Sequence, residues 1–416
     1  MTYSTMQNKN NSTSSIKGEQ NEKIKKTNSK KDNDAIQILP VETKQQFKEF
    51  YNLSFEIYKS NPNWVPMFWK EFNEFFYKHN LFWDHSEYQL YLAKKGDTII
   101  GRIAAIIDHS FCEISGKNIG FFGFFECIEN YACAELLFYK AEQWLASKGM
   151  DRMQGPINGR VDMGCGFQLN AYNTPTSLLS TYSPSYYVTF AEHYQMSKCR
   201  DLILYSINLT QPLPHQLKKK HILSSKQDIS IRPFNRWRIG KEFIWWIPML
   251  LRTFSKHWGY VPIEEEEVLS RFGIKNLRWH IDPRLFLVAE HKGRPIAYLW
   301  ATPDYNQLFK SMNGKFGFLD YFKVFFRRNS ITQGKLHLIG IEEKFRHHAI
   351  GSSLNYAVLD EMKKRGYDTA EVGWIDEENQ IAHTTISITG AIPYKKHRVF
   401  EKKIENQEGE QNSLKK

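Results

Sequence analysis

Six residues, Arg346-His347-His348-Ala349-Ile350-Gly351, sit where a short apolar run meets an amphipathic one, and they are the stretch best suited to chemistry. The first amides of a helix have no partners inside it and carry partial positive charge, so a turn at that point can hydrogen-bond a phosphate or diphosphate. Small residues at 349 and 351 would let such a group approach the backbone. The plainer reading of the same turn is a connection that binds nothing.

The flanking segments place this turn. LHLIGI (336–341) is short, apolar and β-prone, and YDTAEVGWI (367–375) is a second strand. Between them Ile350, Leu354, Val358 and Met362 recur four residues apart, as one stripe of a helix. Lys363, Lys364 and Arg365 crowd its last turn and Gly366 follows, the chemistry of a C-terminus. The unit reads strand, turn, helix, strand.

R-x-x-A-x-G resembles the acetyl-CoA loop of the GNAT acyltransferase superfamily, R/Q-x-x-G-x-G/A, with Ala349 where that pattern prefers glycine. Asn379, Ala382 and Gly390-Ala391-Ile392 are similar to the family's N-x-x-A…G-F segment. GPIN (155–158), GCGF (164–167), YSPSYY (182–187) and KCRDLILY (198–205) resemble a group of bacterial proteins with two GNAT-like halves, over about Ile36 to Ile404. The resemblance implies an α/β fold (α+β mixed), with two tandem GNAT-like acyl-CoA N-acyltransferase folds whose mixed central sheets are flanked by helices. It implies acetyl-CoA or another acyl-CoA as co-substrate, held by Arg346, His347, His348, Ala349, Ile350, Gly351 and Ser352. The amide of Gly340 or Ile341 would polarise the thioester carbonyl, and Asn379 would bind cofactor or cap the helix after it.

The family's proton-donating tyrosine falls here on Ile386, which cannot donate. Glu371, on the strand after the helix, and His383, one turn beyond Asn379, are the candidates for proton transfer, with Tyr394 a possible substitute. Each has a structural alternative: Glu371 pairing with a base, His383 facing solvent, Tyr394 packing, and Gly340 permitting close approach of a neighbour. The resemblance also makes Tyr182, Tyr186 and Tyr187 a lining of the groove between halves, with core packing as the alternative.

Residues 1–34 and 406–416 read as disordered polar tails. An N-terminal GNAT-like domain (35–208), a linker (209–228) and a C-terminal GNAT domain with the CoA loop (229–405) are expected between them. NIGFFGFFE (118–126), the helix 132–149 and the extended chain 150–158 repeat the order of 336–375, with stop glycines Gly149 and Gly366 217 positions apart. That spacing points to an internal duplication. The first copy has Glu126 and Glu129 at its turn, which would repel a diphosphate, so this half is expected to lack the cofactor. Pro248 should interrupt helix 242–260, and 264–272 should be helical. Segment 304–335 mixes phenylalanines with Lys and Arg, and reads as groove packing, a substrate pocket or a surface lying on a membrane.

The formal charge of +11 would draw CoA, an anionic membrane or nucleic acid without choosing among them. Five cysteines form no metal-ligand or paired spacing and fit a reducing compartment, so no metal is expected. With no apolar leader and no run of about 18 apolar residues, a cytoplasmic location is expected, with peripheral membrane contact open. The expected partner is a small-molecule or peptide amine rather than nucleic acid. Two other readings stay open: a catalytically silent GNAT-like binding protein, and a transferase using aminoacyl-tRNA. The sequence leaves acceptor, chain length and oligomeric state undetermined.

Overall fold

The computed structural model describes residues 35–77, 80–225, 228–262, 266–268, 281–346 and 348–405. The expected tails, most of helix 264–272 and His347 lie outside these. The first half contains β1 (Ile36–Pro40), α1 (Lys44–Ile57), α2 (Trp69–Tyr77), β2 (Ser86–Lys95), β3 (Thr98–Asp108), α3 (His109–Ser115) and β4 (Ile119–Cys127). It continues with α4 (Tyr131–Ser147), β5 (Arg152–Gly155), β6 (Phe167–Gln168), α5 (Tyr186–His193) and β7 (Ser197–Asn208). The second half has α6 (His215–Ser225), β8 (Ile229–Pro233), α7 (Ile239–Phe254), β9 (Phe286–His291), β10 (Arg294–Pro303) and α8 (Phe318–Arg327). It ends with β11 (Gln333–Ile341), α9 (Ile350–Lys364), β12 (Thr369–Asp376), α10 (Gln380–Ser387) and β13 (Ile392–Lys403).

All the described strands share one mixed sheet, in the order β1-β2-β3-β4-β5-β13-β7-β12-β11-β10-β9-β8, with β6 on β13. The last strand of each half has crossed to the other. β13 pairs with β5 (Phe400 opposite Gly155), β7 pairs with β12 (Asn208 opposite Thr369), and β7 and β13 pair together at the centre. Periodicity marks which residues are strands and not which strands meet, so two separate sheets were the natural expectation. The 209–228 stretch is also more than a connector. Within it α6 buries Leu217, and His221 bonds Ser353 at 2.7 Å and stacks on Tyr356, pinning α6 to α9.

The duplicated units stand at matching places, β4-α4-β5 and β11-α9-β12. Gly149 (φ 80°) and Gly366 (φ 81°) each close their helix in the left-handed region, where a side chain would be strained. In each copy the parallel pairing is brief, Ile119–Phe121 with Arg152–Gln154 and Gln333–Leu336 with Thr369–Val372. Each outer strand also carries a bulge against its hairpin partner, between Gly123 and Glu126 and at His337. A bulge bends a strand and re-aims its side chains, and here both fall where the parallel strands stop pairing.

The α9 stripe is as expected: Ile350, Leu354, Val358 and Met362 are fully buried against Leu299, Leu336 and Ala370. Each such side chain contributes about 1.5–3 kcal/mol on burial. Pro248 does not interrupt α7, because Phe243, Trp246, Ile247 and Met249 pack on both sides of it into one apolar cluster. Helix α3, which the sequence reading omitted, starts where Asp108 accepts a hydrogen bond from the Phe111 amide. Among the described residues no helix is long and apolar enough to cross a membrane.

Candidate active site

The two duplicated helices begin differently. Asn130 precedes α4 and its side chain accepts from the Cys133 amide at 3.1 Å, so that helix start is capped by its own side chain. Ala349 precedes α9 in the left-handed region (φ 57°, ψ 15°) and no side chain caps the helix. The Ser353 amide returns to the Ala349 carbonyl at 2.9 Å, while Ile350, Gly351 and Ser352 make up the uncapped first turn. Gly351 adjoins the methyls of Ile341 and Thr385, where an added Cβ would lie 3.2 and 3.5 Å away. Arg346 and His348 are exposed. An uncapped start with small residues suits a diphosphate, and the capped α4 does not. Of the two carboxylates expected to repel one in the first half, Glu129 is exposed. Glu126 is buried beside Arg102, accepting from Tyr58 and Tyr187 at 2.8 Å each.

The second feature is a buried polar cluster where the halves meet. Lys335 and Glu371 face each other on the parallel β11/β12 rung, just before the strands stop pairing, and form an ion pair at 2% exposure each. The Ser177 and Tyr394 hydroxyls donate to the same carboxylate. Lys335 also donates to Ser177 and Ser180 at 2.9 Å. Loop 175–180 of the first half takes part further: the Pro175 carbonyl accepts from Lys395 at 3.1 Å, and the Leu178 amide donates to Asp304 at 2.8 Å. Two lysines and two carboxylates are thus buried together, so their charges offset one another.

Electrostatics separates these groups. Burial alone would raise the Glu371 carboxyl, but the Lys335 charge and three hydrogen bonds hold it below its ordinary range. Burial and the adjacent Glu371 charge push the Tyr394 phenol up, which keeps it a neutral donor. Burial raises Asp304 to about 6 and lowers Lys395. His337 and His397 are pushed down to about 3 by burial and a neighbouring lysine, and are neutral near pH 7.

Of the proton-transfer candidates, Glu371 and Tyr394 are brought together, and His383 is not with them. His383 Nδ1 shares a 2.7 Å hydrogen bond with the Tyr205 hydroxyl instead of facing solvent. Asn379 caps α10, accepting from the Ala382 amide at 3.1 Å. Gly340 lies directly opposite Tyr298, and a Cβ there would sit 2.4 Å from the tyrosine ring, so close packing alone requires this glycine. Tyr187 is a core residue at 1% exposure, Tyr186 donates to the Cys127 carbonyl at 2.9 Å, and Tyr182 donates to the Tyr172 carbonyl at 2.8 Å. Tyr186 and Tyr187 therefore pack in the first half, short of the seam. Lys335, Ser177, Ser180, Asp304 and Lys395 were not singled out from sequence. The strand runs from Gln333, three residues earlier than the 336–341 expectation, which left Lys335 outside it.

Comparison with known proteins agrees with this architecture. Residues 247–385 match the Acetyltransferase (GNAT) family. The chain is 27% identical over 377 residues to a bacterial ceramide synthase of Caulobacter vibrioides, covering 89% of this chain and 98% of that one. It is 26% identical over 367 residues to Protein YghO of Escherichia coli, covering 87% and 94%. Among solved structures, a tandem GNAT protein from the clavulanic acid biosynthesis pathway superposes with a TM-score of 0.52 at 10% identity, over 89% of this chain and 99% of that one. At that identity the likeness is one of fold.

Proposed function

We propose that this chain, a tandem GNAT fold whose second half carries the acetyltransferase family domain, transfers an acyl group from acyl-CoA to an amine, with its working site in that second half. The observation that carries the reading is the uncapped start of α9 beside the point where β11 and β12 stop pairing, set against the capped start of α4. Acyl-CoA supplies the acyl group as an activated thioester. In this reading the amides of Ile350, Gly351 and Ser352, with Arg346, hold the diphosphate, and one β11 backbone amide, that of Gly340 or Ile341, polarises the thioester carbonyl.

Tyr394 is half-buried while Glu371 is enclosed, so Tyr394 is the member of the pair that meets the reacting groups. Glu371, held ionised by Lys335, aims the phenol. Lys335, through Ser177 and Ser180, ties the loop of the first half to the site. The first half thereby completes a site it does not itself contain. His383 with Tyr205 is the remaining candidate for proton transfer.

The name of the Caulobacter relative supports an acceptor whose amine is carried on a lipid-like chain, the product being an amide. The test is calorimetry with acetyl-CoA and longer acyl-CoAs, then mass spectrometry of reactions with small amines, a peptide amine and a long-chain amino alcohol. Binding followed by amide formation is expected. Binding without turnover on every amine favours the catalytically silent reading. No heat with any CoA removes the acyl-CoA reading, and salt-sensitive tRNA binding in its place would turn the search to aminoacyl-tRNA.

A further inference from the structure

Helix α8 faces the wrong way for a surface helix of a water-soluble fold. At 3.6 residues per turn, Phe318, Leu319, Tyr321, Phe322, Phe325 and Phe326 fall on one continuous arc of roughly 160°. All six are 50–76% exposed. Asp320 and Val324, the two half-buried residues of the helix, lie on the other side. The aromatic arc is thus turned to solvent, and only Asp320 and Val324 on the opposite side are partly covered. A contiguous apolar patch of this kind marks an interaction surface.

The charges around it select the occupant. Lys315, Lys323, Arg327 and Arg328 surround the helix and are exposed. The single acid, Asp320, is committed to the Gly317 amide at 2.8 Å and to Lys323 at 2.7 Å. The arm is also held firmly at its base. Phe316 packs on Phe68, Phe309 and Tyr321, and the Gly314 carbonyl accepts from the Trp69 amide at 2.9 Å and the Tyr51 hydroxyl at 3.3 Å. Ten residues make a helix of about 15 Å, too short to span a bilayer but suited to lying in its interface. A second copy of the chain would have to bring two basic rims together.

We infer that α8 docks the protein on an anionic phospholipid surface, aromatic arc in the headgroup boundary and basic rim on the phosphates. The segment leaves the sheet between β10 and β11, and the Asp304 amide, bonded to the Gln333 carbonyl at 2.8 Å, closes its base. Asp304 and Lys335, two members of the buried cluster, flank that closure. Docking would therefore set the membrane on the side where β10 ends at Pro303 and β11 begins at Gln333. The inference goes beyond the acyl-transfer reading and is tested without it.

Full-length protein is floated with phosphatidylcholine vesicles and with phosphatidylcholine/phosphatidylglycerol vesicles, at low and high salt. The wild type is expected to float with the anionic vesicles and to be released by salt. The combined substitution Phe322→Ser, Phe325→Ser, Phe326→Ser is expected to cut the floated fraction about tenfold or more, with an unchanged circular dichroism melt because these side chains are exposed. Lys323→Glu with Arg327→Glu and Arg328→Glu should abolish the preference for anionic vesicles. The inference is overturned if the wild type stays with the soluble fraction on both vesicles, or if the serine variant floats as well as the wild type. It also fails if light scattering shows a wild-type dimer that the serine substitutions split and that binds no vesicles, since a second copy would then cover the arc.

Discussion

The hydroxyl of Tyr394 on β13 donates to the carboxylate of Glu371 on β12, although β7 runs between those two strands. Strands two apart in a sheet are separated by about 9–10 Å, so the phenol has to reach over its neighbour. Two local features allow it. Ser206, directly opposite Glu371 on β7, is small, and a bulge in β13 between Pro393 and Lys395 frees Tyr394 from the regular pleat.

This arrangement predicts different outcomes for its members. Tyr394→Phe keeps the ring and the fold, and should lower kcat by about 10²-fold with little change in the KM for acyl-CoA. Glu371→Gln leaves the Lys335 charge buried without its carboxylate, and should cost about 3–5 kcal/mol in urea denaturation. Combining it with Lys335→Met should recover most of that stability and none of the activity. Activity restored along with stability would mean the cluster only holds the fold.

Arg346 is exposed beside the uncapped helix start. Arg346→Glu should weaken CoA binding about tenfold by calorimetry while leaving the melting temperature unchanged, since the reversed charge acts on a phosphate and not on the core. Asn130→Ala is the counterpart in the first half. It removes the α4 cap, should cost about 1 kcal/mol of stability, and should not alter the stoichiometry of CoA binding.

Asp304 gives a pH signature. Its folded value of about 6 is above the ordinary aspartate range, so the unfolded chain loses this proton first and ionisation opposes folding. The sign follows: this group subtracts stability as pH rises from about 4 through 6, and above that the loss is about 3 kcal/mol. Asp304→Asn retains an acceptor for the Leu178 and Asn306 amides. The difference in unfolding free energy between variant and wild type should therefore grow in the variant's favour from pH 4 to pH 7. A constant difference across that range would contradict the assignment.

Gly340→Ala drives a methyl into the Tyr298 ring across the β10/β11 pair. A loss of about 1–3 kcal/mol is expected from overpacking. The cost should shrink when Tyr298→Val is made in the same chain, because the two positions are in contact and their effects do not add.

The sequence was most informative wherever structure is local. The α9 stripe, the stop glycines and the strand-turn-helix-strand order of both copies are all written within short windows, and each was found where it was expected. Even Asn379 as a cap was legible. What could not be read was set by distant pairing. Ser177 meets Lys335 across 158 residues and Lys395 meets Pro175 across 220, with no periodicity to join them. Glu371 was read as a proton-transfer candidate or the partner of a base, but which base it meets depends on the register of β11 against β12, and that appears only in three dimensions. Segment 304–335 was legible as aromatic and basic. The helix within it, and the direction its aromatic side takes, were not, because mixed Phe, Lys and Arg give a composition and not a face.

Because β5 receives β13 from the far end of the chain, the nascent first half leaves the ribosome with a raw edge. It stays open until the final dozen strand residues have been made, nearly 250 positions after Gly155. Neither half can finish without the other, nor swing away from it like a hinged jaw. Opening and closing around a substrate must then fall to loops and to the protruding helical arm, while the backbone beneath works as one plate.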